Sequence, residues 1–184
     1  MIRPIYLYGS EVLRERAAEA DLTRKEELTD LIGDLKDTLK RSEGCGLAAP
    51  QIGVGLRVLI VDGDEMAEVY PYLKDFRRTM INPVVLEESG EQCEYEEGCL
   101  SVPGVYCSVR RPASVTIRYT DGDFVERTET FDKFAARMIQ HEMSHLDGVL
   151  FTDLVAPIRR KMIARKLQNI SGGKVSARYA TKIK

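Results

Sequence analysis

Three features of the sequence predict an α+β fold. Strand-like stretches cluster between Thr79 and Phe131, and helical apolar spacing flanks that cluster on both sides. Strands and helices do not alternate as repeated βαβ units would require.

Ser10 can cap a short helix through EVLRERA. Thr23 and Glu26 read as a capping box that opens a longer helix. Its apolar positions Leu28, Leu31, Ile32, Leu35 and Leu39 recur at helical spacing, and Gly44 can stop it. A Gly/Ala/Pro loop, GCGLAAPQIGVG, leads into LRVLIVD, a buried strand, and residues 63–78 read as a polar surface excursion. TMINPVVLEES, the stretch near Cys93, VYCSVRR, SVTIRYT and FVERTETF then read as strands, with a hairpin turn at Asp121-Gly122-Asp123. A second major helix spans about Asp132 to Leu146, and a C-terminal helix runs from Pro157 to Ile170. Residues 171–184 carry Lys174, Arg178, Lys182 and Lys184 without an acid and are expected to be a flexible basic tail.

The whole chain, 1–184, reads as one domain. Apolar residues make up 43% of it, enough for a sizeable core, and the 30% that are charged are mixed in sign. A formal net charge of -2 argues against a DNA-binding or anionic-membrane surface. The opening MIRPIYLYGSEVLRE lacks the apolar core of a signal peptide, and no apolar run nears the roughly 20 residues of a membrane span. The expectation is a cytoplasmic protein whose four cysteines stay reduced, with Cys93 and Cys107 as small buried residues.

The chemistry centres on QHEMSHLDG. It holds both histidines of the chain, His141 and His145, four residues apart. On a helix those positions share a face, so both imidazoles can reach one metal ion. Glu142 lies about 100° around the helix, close enough to act on a bound water. The blander reading makes the histidines incidental surface residues and Glu142 a solvated charge. A catalytic metal usually takes three protein ligands and an open position. No histidine is left to be the third, and no glutamate follows His145, so that ligand comes from upstream. A cysteine thiolate suits a borderline metal. Cys99, in the loop-like EEGCLSVPG, is one such residue, although a lone cysteine is more often buried filler.

GCGLAAPQIG at 44–53, EGCLS at 97–101 and QHEMSHLDG at 140–148 resemble the three signature motifs of peptide deformylases, in the family's order and spacing. SEVLRERA, the INPVV strand and the PGVY…RRP stretch extend the resemblance over about residues 4–165. It implies antiparallel sheets packed around the helix that bears the histidines. It also implies hydrolytic removal of the N-formyl group from the initiator methionine of newly made polypeptides, as part of translation. Cys99, His141 and His145 would then hold one divalent metal ion. Fe2+ would be the native ion, with Zn2+, Ni2+ or Co2+ as substitutes.

On that reading Glu142 is the base, and Gln51 and the Leu100 N–H donate to the developing oxyanion. Gly46 and Gly98 would let the substrate backbone approach. Cys45 would line the pocket without chemistry. Arg137, where the family usually has an apolar residue, would border the methionine pocket. The partners implied are N-formyl-Met nascent chains and, through the basic tail, transient contact with the ribosome. A zinc endopeptidase with a two-histidine helix is the main alternative; a structural zinc site would need a fourth protein ligand.

Overall fold

The apolar stripe at Leu28, Leu31, Ile32, Leu35 and Leu39 is buried along one face of α1 (Lys25–Ser42) in the computed structural model, which describes residues 1–184. Burying each such side chain contributes on the order of 1.5–3 kcal/mol, so the stripe alone holds α1 against the molecule. The helix starts without the expected capping box. The Thr23 N–H and hydroxyl both donate to Asp21 Oδ1, and the chain leaves the helix through Glu43 in the left-handed region. The segment after Ser10 forms only a single short turn, Glu11–Leu13.

The expected strands assemble into one five-stranded antiparallel sheet of order β2-β3-β4-β5-β6. Its members are β2 (Gly46–Ala48), β3 (Val58–Asp62), β4 (Arg77–Cys99), β5 (Val102–Thr120) and β6 (Glu126–Asp132). Strand β3 shows why residues 58–61 of LRVLIVD are apolar at every position. Val58 and Ile60 face α1, while Leu59 and Val61 face α2 (Lys133–Leu146), so both faces of this part of the sheet are covered.

Two differences from expectation concern β2 and the long hairpin. Part of the Gly/Ala/Pro loop is strand β2, followed by a tight turn of helix at Ala49–Ile52. The separate strands expected between Thr79 and Thr120 join into β4 and β5, which stay paired through four register shifts. Bulges of this kind bend a strand without ending it. As a result β5 serves two cores. Val105, Cys107 and Val109 pack with Ile163 and Leu167 of α3 (Pro157–Ser171), and Val115, Ile117 and Tyr119 pack on α2. No helix is long and apolar enough to cross a membrane.

The polar C-terminus corrects the expectation of a flexible tail. Thr181–Lys182 forms β7, parallel to β1 (Ile5–Tyr6), with Ile5 N–H donating to Ala180 O and Leu7 N–H to Lys182 O, each at 2.9 Å. Val175 and Ile183 pack on the cluster around Leu7, and Tyr179 packs on the cluster around α1. Main-chain pairing and three apolar side chains hold a segment whose composition is otherwise that of a frayed end.

Candidate metal and catalytic centre

Helix α2 lies under the sheet, and Phe134, Met138, Ile139 and Leu146 join the largest core cluster. Enclosure on this scale also buries Arg137, Gln140, His141, Glu142 and His145. Buried polar groups need partners, and most of these find them in β4 and β5.

The i, i+4 spacing brings the two imidazoles together, with ring centroids 5.1 Å apart. Cys99 ends β4, just past the register shift that follows Glu97. Its Sγ lies 3.3 Å from His145 Nε2. The ligand atoms of Cys99, His141 and His145 lie within 4.8 Å of one another. That is near enough for one ion with bonds of roughly 2.0–2.3 Å to reach all three. One thiolate and two imidazoles form a donor set suited to zinc or ferrous iron. The residues present therefore fit a bound metal.

Glu97 sets the direction of His141. The His141 Nδ1–H donates to Glu97 Oε1 over 2.7 Å, which leaves Nε2 for the metal side. Glu97 is 5% exposed and also accepts from Arg111 Nε at 2.8 Å, Arg111 Nη2 at 3.0 Å and Arg137 Nη1 at 2.6 Å. Burial would raise its carboxyl, but His141 and Arg111 outweigh that and hold it well below the usual carboxylate range. Burial lowers His141, yet the neighbouring Cys99 sulfur and its bond to Glu97 lift it to about 10. A metal held by this imidazole would have to displace that proton. Burial drives His145 well below its ordinary value, which keeps its imidazole neutral.

Glu142 is equally enclosed, at 4% exposed, but its Oε2 is buried without a partner. Burial pushes its carboxyl up to about 7. It borders a cavity of about 710 Å³ together with His141, Cys99, Leu100, Cys45 and Met138. The Cys45 thiol, pushed up to about 12 by burial and then by the Glu142 charge, stays protonated there.

Gln51 is buried beside Cys99. Its Oε1 accepts from the Ala48 N–H at 2.9 Å, and Nε2 donates to Ser101 Oγ at 3.2 Å and to Cys99 Sγ at 3.5 Å. Leu100 lies on the cavity wall, as do Gly46 and Gly98.

Neither glycine could carry a side chain without displacing a neighbour. A Cβ on Gly46 would meet Glu142 Oε1 at 2.5 Å, and one on Gly98 would meet the Tyr106 ring at 2.5 Å. Arg137 borders the cavity, but its charge is spent elsewhere: on Glu97, on the Val109 and Cys93 carbonyls, and over the Tyr95 ring. It is 2% exposed, lies on the cavity wall as expected, and supports Glu97 from there. Glu97, Arg111 and Tyr179 are the members that motif reading passed over. A histidine ligand usually donates its second nitrogen to an acceptor, so the acid two residues before Cys99 carried a usable signal.

The polypeptide deformylase family model matches residues 2–161. A peptide deformylase of Cytophaga hutchinsonii is 41% identical over 182 residues, covering 99% of this chain and 97% of that one. The crystal structure of a peptide deformylase from Legionella pneumophila superposes with a TM-score of 0.81 at 36% identity, covering 95% of this chain and 98% of that chain. That of Thermus thermophilus gives 0.80 at 31%, covering 94% and 99%.

Proposed function

This chain belongs to the polypeptide deformylase family, and from that premise we propose that Cys99, His141 and His145 hold one divalent metal ion with Glu142 as the catalytic base. The enzyme removes the N-formyl group from the initiator methionine of newly made polypeptides and releases formate. Family membership also sets aside the endopeptidase alternative.

The observation that carries the residue assignment is the clustering of Cys99, His141 and His145 within 4.8 Å of one another, with Cys99, His141 and Glu142 on the wall of one cavity. Bound there, a divalent metal supplies Lewis acidity and activates a water near neutral pH. Glu142 takes the proton of the attacking water and returns it to the departing amine, which suits a carboxyl that burial has raised toward neutrality. Gln51 Nε2 and the Leu100 N–H stabilise the charge that develops on the formyl oxygen. The Gln51 side chain is pinned through Oε1, so its amide is oriented before substrate arrives.

Fe2+ is the native ion on this reading, with Zn2+, Ni2+ and Co2+ as active or durable substitutes. The test is formate release from formyl-Met-Ala-Ser under anaerobic conditions, with metal analysis of the same sample. Exchange of the ions in turn, followed by exposure to air, ranks them. Oxygen added to the peptide that carries Cys99 is the expected mark of iron-dependent inactivation. An iron form stable in air for days overturns the choice of iron. The reading extends to a cytoplasmic enzyme in transient contact with ribosomes through the exposed Lys174, Arg178, Lys182 and Lys184. Cosedimentation with ribosomes that persists unchanged at high salt, or is absent at low salt, refutes that contact.

A further inference from the structure

The turn between β4 and β5 is held from three directions. Gln51 Nε2 donates to Ser101 Oγ, and the Tyr8 N–H donates to the Ser101 carbonyl over 2.8 Å. From the third side the Tyr179 hydroxyl donates to the Leu100 carbonyl over 2.7 Å. Opposite it, the Leu100 side chain rests on Gly44, where a Cβ would come within 2.8 Å of Leu100 Cδ1. The β1–β7 ladder delivers Tyr179 to this place, and Ser176–Tyr179 become a wall of the cavity that contains His141 and Glu142.

We propose that Tyr179 is a positioning residue for deformylation: its hydroxyl fixes the Leu100 backbone, and so aims the Leu100 N–H at the reacting formyl oxygen. This rests on the assignment of Leu100 as an oxyanion donor. The two peptide planes that meet at Leu100 are restrained at both ends. Cys99 is tied to the metal ligands, and the Leu100 carbonyl is tied to Tyr179. The Leu100 N–H lies in the plane shared with Cys99, so without the hydroxyl the Leu100 α-carbon is free to shift and tilt that plane off target. Small misplacements of an oriented group are costly to rate. Burial also holds the hydroxyl above its ordinary pKa, so it remains a donor at working pH. A tyrosine retained for packing alone would be replaceable by phenylalanine; one that aims a backbone would not.

The experiment is Tyr179→Phe in the metal-loaded enzyme, assayed on formyl-Met-Ala-Ser. The expected result is a fall in kcat of about three- to tenfold, as for loss of one hydrogen bond, with KM and metal content unchanged. Deuterium exchange at the peptide carrying Leu100 and Ser101 should quicken, while the rest of the chain keeps its protection. Truncation after Gly173 should lower kcat further, because the whole wall is lost. A Tyr179→Phe enzyme with wild-type kcat overturns the proposal, as does one whose loss of rate follows loss of metal. If that variant is silent while Gln51→Leu and Glu142→Ala still cripple the enzyme, only the Tyr179 role falls. If Gln51→Leu is also silent, the oxyanion reading falls with it.

Discussion

Two buried carboxylates flank His141, and they meet opposite fates. Glu97, on the β4 side, accepts from His141, Arg111 and Arg137 and is held ionised. Glu142, on the cavity side, has an unpartnered oxygen and is pushed up to about 7. Their burial is nearly equal, so burial does not decide the role. The partners do. A carboxylate with every lone pair engaged is a fixed support, whereas one left without donors can take and return a proton.

The sharpest way to break the comparison is to remove each carboxyl in turn. Glu142→Ala should lower kcat by roughly 10²- to 10⁴-fold with near-normal metal content, because the base is not a ligand. Metal loss equal to that of His141→Ala would place Glu142 among the ligands. Glu97→Gln should act in the opposite sense. Uncompensated guanidinium groups beside it should cost about 3–5 kcal/mol of stability, measured by denaturant unfolding. Metal affinity should fall roughly 10- to 100-fold as His141 loses its orientation. Intact stability would show that Arg111 and Arg137 find other acceptors.

Arg137→Met sharpens the contrast at lower cost. Arg111 and His141 still serve Glu97, but the Cys93 and Val109 carbonyls lose a donor. The expected loss is on the order of 1–3 kcal/mol, seen as a lowered Tm with kcat retained. A changed preference among substrate side chains would show that Arg137 also shapes the substrate pocket.

The smallest effect is in pH dependence, best read on metal-free protein. Glu97 has a lowered folded pKa, so its stabilisation is complete above about pH 4.5 and is lost as pH falls through the folded value. Glu142 has a raised one. Its enforced ionisation costs stability as pH climbs from about 4.5 toward 7. Glu97→Gln should therefore flatten the acid limb of the stability curve, and Glu142→Gln the limb on the neutral side. Identical curves would mean that the two carboxyls share one environment.

The sequence showed one of these two sides. Glu142 is legible because it sits between two histidines at helical spacing. Glu97 meets Arg111 across the hairpin and Arg137 from another element, and no local period records such contacts. The helices α1 and α3 and the doubly covered β3 were readable from apolar spacing. The continuity of β4 and β5 was hidden because bulges shift register where Gly90 and Pro112 interrupt the pattern. The C-terminal return misled by its charge. Val175, Ala177, Tyr179 and Ile183 alternate with exposed residues, a two-residue period short enough to be lost among lysines and glycines.

The pairing of Ile5 with Thr181 also orders events in time. A ribosome makes β1 before the motif residues and β7 only after all of them. Until residue 182 has left the tunnel, β1 has no partner, and the wall at Ser176–Tyr179 cannot close on the cavity. Each new chain thus carries all of its motif residues for a time before its site is closed.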